Sequence, residues 1–134
     1  MESRDTIVMK LPCKAEYVSV VRLTVSGIAS RIGFDIETVE DIKVAVSEVC
    51  SRIINVSDSS DRQYEVWFDI SSQKLTIYFN SDIERINCIF GDDEDGLGVS
   101  IINAFMDEVE YCPEGKSYIL SMAKYNEVIT CNGL

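Results

Sequence analysis

The chain holds 134 residues, with 12 Lys and Arg against 23 Asp and Glu, a formal net charge of −11 and no histidine. Such a chain repels phosphate backbones, which argues against nucleic-acid binding driven by counterion release. Without histidine there is no His-dependent nucleophile and no His-ligated zinc site, so catalysis falls to carboxylates, Cys, Lys or Arg.

The length fits one domain spanning residues 1–134, and a 46% hydrophobic composition supplies a core. Five cysteines, Cys13, Cys50, Cys88, Cys112 and Cys131, form no C-x-x-C pair, and no apolar leader precedes the first patterned segment. The expectation is a cytoplasmic chain with reduced thiols acting as small hydrophobes. No run approaches the roughly 18 apolar residues of a membrane span, so no membrane partner is expected.

In chain order, Thr6–Leu11 alternates as a strand and stops at Pro12. From Ala15 to Ile32, apolar residues at Val18, Val21, Val25, Ile28 and Ile32 follow helical spacing, and Gly33 ends the helix. Asp35 caps a second helix whose stripe is Val39, Ile42, Val46, Val49 and Ile53. After the polar stretch 57–61 the period becomes two: Tyr64, Val66, Phe68 and Ile70, then Leu75, Ile77 and Phe79, joined by Ser71–Lys74 as an antiparallel hairpin. Residues 81–95 have no period and read as a loop. A third helix runs from Leu97 to about Met106, followed by a strand near Glu108–Cys112, a turn at 113–116 and a strand from Ser117 to about Lys124. The order predicts an α+β two-layer sandwich, with helices on one face of a mixed, mostly antiparallel sheet.

Charge is distributed unevenly. Residues 1–56 carry 7 basic and 8 acidic side chains, whereas 57–134 carry 5 and 15. Within 81–95, Asp82, Glu84, Asp92, Asp93, Glu94 and Asp95 face one Arg85, making this segment the acidic pole of the chain.

Two motifs stand out: Ala45-Val46-Ser47-Glu48-Val49-Cys50 on the second helix, and Asp95-Gly96-Leu97-Gly98-Val99 opening the third. With Leu11–Val18, Val21–Ala29, Phe105–Val109 and Met122–Tyr125 in the same order, the chain resembles the RsbW-like anti-sigma factors. These are bacterial serine-protein kinases of the Bergerat, histidine-kinase-like ATPase fold. The resemblance covers nearly the whole chain and implies a homodimer that sequesters an alternative sigma factor. It also implies Mg²⁺ and ATP as cofactors for phosphorylating a serine on a STAS-domain anti-anti-sigma partner, with release of that partner.

The resemblance places Glu48 as catalytic base and Arg52 where the family has a Mg²⁺-binding Asn, with Asn55 a turn further on. It places Asp82 at the adenine contact, Gly96, Leu97 and Gly98 at the phosphate turn, and Arg22 on the partner-contact surface. The residues alone allow plainer roles: an i,i+4 ion pair between Glu48 and Arg52, a solvated Arg22, and a helix cap from Asp92–Asp95. Three departures bear on chemistry. Guanidinium has only donors and cannot ligate Mg²⁺, so Arg52 either occupies the metal position paired with Glu48 or contacts phosphate directly. Ile83 stands where the family's adenine motif has glycine. The segment before Gly96 is short and acidic, which opposes a triphosphate. The expected function is an anti-sigma factor with its serine-kinase activity weakened or lost. The alternatives are a fully active kinase, with Asn55 or a water relocating the metal, and a nucleotide-free protein-binding scaffold.

Overall fold

The computed structural model describes residues 4–57, 59–81, 89–90 and 96–126. Strand β1 (Asp5–Pro12) leads through a short 3₁₀ turn at Ala15–Tyr17 into α1 (Val18–Ile32) and α2 (Ile36–Val56). The hairpin β2 (Gln63–Ile70) and β3 (Lys74–Ser81) follows, then α3 (Leu97–Phe105), β4 (Glu108–Tyr111) and β5 (Leu120–Tyr125). The sheet order is β1-β2-β3-β5-β4. Every pairing is antiparallel among the described residues, where the sequence pattern allowed a mixed sheet. The reason is connectivity: each strand pairs either with its hairpin neighbour or with a strand reached by a reversal, and no parallel crossover is formed.

Period-two alternation decides which face the helices cover. Tyr64, Val66 and Phe68 on β2, Leu75, Ile77 and Phe79 on β3, and Leu120 and Met122 on β5 are buried, and register places Val66 beside Phe79 and Ile77 beside Met122. Against them α1 turns Val21, Val25, Ile28 and Ala29, and α2 turns Val39, Ile42, Val46, Val49 and Ile53. Each fully buried aliphatic or aromatic side chain contributes about 1.5–3 kcal/mol of transfer free energy, so this two-layer seam is the main source of stability. The other face stays open: Trp67 is 41% exposed, and Tyr78, directly across from it, stacks edge-to-face on Tyr118 with centroids 4.9 Å apart. Trp67 and Tyr78 are thus a sheet-face patch.

Local chemistry sets the helix ends. Gly33 takes φ 109°, a left-handed conformation that an L side chain resists, and its N–H donates to the Ala29 and Ser30 carbonyls to close α1. Two residues later Asp35 accepts from the Thr38 N–H at 2.8 Å and starts α2. Three details depart from the sequence pattern. The α-helical register of α1 begins at Val18 because Ala15–Tyr17 forms the tighter 3₁₀ turn. Pro12 is the last residue of β1 instead of its stop, which an edge strand tolerates because the missing N–H faces no neighbour. β5 starts at Leu120, three residues later than its pattern indicated.

The expectation of reduced thiols fails at Cys112, which is disulfide-bonded, while Cys13 and Cys50 are buried thiols outside any disulfide. Missing C-x-x-C spacing excludes only local pairs, and a fold can join cysteines distant in sequence. Burial pushes the Cys50 thiol up to about 12, which keeps it protonated and inert. No described helix is long and apolar enough to cross a membrane.

Candidate functional site

Along one side of α2, Asp41, Ala45, Glu48, Arg52 and Asn55 recur three and four residues apart. Ala45 is fully buried, Asp41, Glu48 and Arg52 are half-buried, and Asn55 is exposed. This side of the helix therefore grades from core to solvent across the boundary where α3 packs.

Gly96, at φ 68°, starts α3, and Leu97 points outward with 59% exposure. Gly98, the next residue, is buried against α2. A Cβ placed on Gly98 would lie 2.9 Å from Glu48 Oε2, 3.1 Å from Phe90 Cε1 and 3.2 Å from an Arg52 guanidinium nitrogen. Real Cβ atoms rarely approach neighbours that closely, so close packing with α2 requires glycine here. Three of the sequence-selected residues, Glu48, Arg52 and Gly98, thus meet at one corner.

The corner contains two residues the sequence pattern did not select. Phe90 is 8% exposed and lies under the guanidinium, with Arg52 Cζ 4.9 Å from the ring centroid, inside cation–π range. Tyr111, at the end of β4, meets Phe90 edge-on at 5.7 Å and 88°. Its hydroxyl donates to Asn103 Oδ1 on α3 at 2.9 Å. The ring under Arg52 is in this way tied to both β4 and α3. A signal for Phe90 exists in the sequence: Ile89-Phe90 is an apolar pair inside an otherwise acidic, aperiodic segment, and an aromatic in such a place has to be buried somewhere.

The i,i+4 ion pair expected between Glu48 and Arg52 does not form among the described residues; Arg52 is directed over the Phe90 ring instead. Asp82, Ile83 and Asp92–Asp95 lie outside the described residues. Arg22 is exposed on α1, beside Leu23 at 72% exposure and Val20. No group of three or more Cys, Asp or Glu side chains with metal-binding geometry occurs among the described residues.

Residues 11–124 match the histidine kinase-like ATPase domain. Among similar proteins is the serine-protein kinase RsbW of Bacillus cereus strain G9842, 34% identical over 147 aligned positions that cover 93% of this chain and 88% of the relative. The serine-protein kinase RsbW of Halalkalibacterium halodurans is 35% identical, covering 90% of this chain and 83% of its own length. This chain belongs to the RsbW family of histidine kinase-like ATPase domains. The α+β sandwich with an antiparallel sheet is consistent with that membership.

Proposed function

We propose that this RsbW-family chain acts as an anti-sigma factor that sequesters an alternative sigma factor and exchanges it for a STAS-domain anti-anti-sigma protein, as a homodimer, with its serine-kinase activity weakened or lost. Relatives named serine-protein kinase RsbW support the family role. The observation that carries the weakened chemistry is Arg52 at the corner shared with Glu48 and Gly98.

ATP with Mg²⁺, when bound, supplies the transferable phosphoryl group and a cation that neutralises charge on the phosphate oxygens. The residues of this corner fit the two unequally. Gly98 and the start of α3 suit a phosphate approached by backbone N–H groups. The cation does not fit: Mg²⁺ takes oxygen ligands, and the side chain in reach beside Glu48 is a guanidinium with five donors and no acceptor. Among the described residues, Glu48 is the carboxylate at the corner able to accept a proton from a serine hydroxyl. Asn55 is exposed a turn beyond Arg52 and provides at most a peripheral amide oxygen. Asp82, as adenine contact, completes the proposed set. On the outer face of α1, Arg22 with exposed Leu23 and Val20 forms the partner-binding surface.

Incubation with labelled ATP, Mg²⁺ and a STAS partner should yield no phosphoserine, while immobilised protein still captures a sigma factor. Robust phosphate transfer would return the chain to the active kinases. Loss of sigma capture with a folded protein would favour the nucleotide-free scaffold.

A further inference from the structure

At the corner between α2 and α3 the Arg52 guanidinium stands beside Glu48 and Gly98, and Phe90 packs against it. Arg52 sits near the end of a long helix, and a side chain so placed has many rotamers open to it on a half-buried face. One arrangement is selected. Arg52 Cζ lies over the Phe90 ring, 4.9 Å from its centroid, and a guanidinium nitrogen is 3.2 Å from the point a Gly98 Cβ would occupy. The Phe90 ring is itself immobilised, because Tyr111 packs edge-on against it and Tyr111 is hydrogen-bonded to Asn103 on α3. Tyr111 and Asn103 thus brace the ring, the ring holds Arg52, and Arg52 stands beside Glu48 Oε2.

We propose that Phe90 is a specificity-determining residue of this site: by holding the Arg52 guanidinium against Gly98, it excludes nucleotide complexed to a divalent cation. The argument rests on reading the α2–α3 corner as the nucleotide site. Two positive centres cannot share that space at low cost, since a dication brought within a few ångströms of a fixed guanidinium meets direct repulsion in a partly desolvated place. Electrostatics alone would let Arg52 swing aside when Mg·ATP arrives. The ring removes that escape, because leaving it forfeits the cation–π contact and exposes the apolar surface of Phe90. Phe90 and Arg52 therefore act as one unit, and neither should be replaceable without affecting the other.

The test measures affinity of the full chain for a fluorescent ATP analogue in excess Mg²⁺. The variants are Phe90→Ala, Phe90→Leu, Arg52→Asn and the double variant Phe90→Leu with Arg52→Asn. Phe90→Leu keeps the bulk of the core position and loses only the ring quadrupole, so it reports on guanidinium holding even where Phe90→Ala impairs folding. Phe90→Leu and Arg52→Asn are each expected to tighten Mg·ATP binding about tenfold or more over the unmodified chain, the size expected for loss of one desolvated cation–π contact or one like-charge conflict. The double variant should gain little beyond the better single variant. Binding by Phe90→Leu within about twofold of the unmodified chain while Arg52→Asn gains the full amount overturns the role of Phe90, and fully additive gains overturn the coupling. Absence of binding by every variant overturns the proposal together with the nucleotide-site reading. Sigma-factor capture, measured on the same proteins, uses the α1 surface and should be unchanged, so its loss would speak against the proposed function and not against Phe90.

Discussion

Two glycines on helices allow a matched test of the packing described for the α2–α3 corner. Gly27 lies mid-way along α1 on its exposed side, and a Cβ there would meet nothing within 4 Å. Alanine at an open helical position gains the difference in helix propensity, so Gly27→Ala should stabilise the protein by about 0.5–1 kcal/mol. Gly98→Ala is the same chemical change with a different environment. Its propensity gain is smaller, because Gly98 is in the first turn of α3. Its Cβ would fall 2.9 Å from Glu48 Oε2 and 3.2 Å from the Arg52 guanidinium, ends of flexible side chains that yield cheaply, but also 3.1 Å from the buried Phe90 ring, which is braced by Tyr111. Overpacking of that kind costs roughly 1–3 kcal/mol, giving a net loss of about 0.5–2 kcal/mol. Urea unfolding followed by far-ultraviolet circular dichroism reads both values, and the variants should differ by about 1–3 kcal/mol with opposite signs. If Gly98→Ala stabilises as much as Gly27→Ala, then α3 does not pack on Glu48, Phe90 and Arg52 as described.

Two further outcomes follow from single side chains. Tyr64 is 1% exposed and, among the described residues, its hydroxyl has no hydrogen-bond partner beyond the weakly bonding Cys50 thiol nearby, so the phenol is buried at a cost. Tyr64→Phe should therefore raise stability by about 1 kcal/mol, a melting shift of about 3–5 °C for a domain of this size. A loss of stability in thermal melts would show that the hydroxyl is in fact well bonded. The Asp35 carboxyl is held below its ordinary value of 3.8 by its hydrogen bonds to Thr38. A carboxylate depressed in the folded state stabilises the fold at pH above its unfolded value and loses that contribution as pH falls through the folded value. Asp35→Asn keeps an equally good cap without a charge to titrate, so its stability relative to the unmodified chain should improve as the pH drops below about 4. A constant difference from neutral to acidic pH would remove Asp35 from the cap.

Legibility of the fold tracks how local its causes are. The stripes at Val21, Val25 and Ile28 and at Val39, Ile42, Val46 and Val49 repeat every three or four residues, and those residues are the buried ones. Asp35 and Gly33 carry their capping chemistry in their own side chains or lack of one, so the helix boundaries were readable too. Which strands would neighbour one another was not, because β3 pairs with β5 across a helix and another strand, and nothing in either segment encodes that distance. The open sheet face illustrates the same limit. Alternation places Trp67 and Tyr78 on one side, but only assembly tells which side the helices cover.

At the corner, the legible and illegible parts divide along the same line. Glu48 and Arg52 were visible because helical spacing puts residues four apart on one face, and Gly98 because a glycine opening a helix is conspicuous. Among the described residues Glu48 and Arg52 form no ion pair, and the guanidinium lies over Phe90, a residue distant in sequence whose ring meets Tyr111, itself bonded to Asn103. This also explains how the fold tolerates an arginine at a position that the family resemblance assigns to a metal-binding amide. Arg52 points toward α3 and not into the seam of Ile42, Val46 and Ile53 that holds α2 on the sheet, so changing it alters the corner and leaves the core intact. Arg22 and Leu23, on the outer side of α1, contribute no side chain to either. On the function proposed above, partner binding on α1 and phosphate chemistry between α2 and α3 rest on different side chains, so a chain that gives up the second remains free to perform the first.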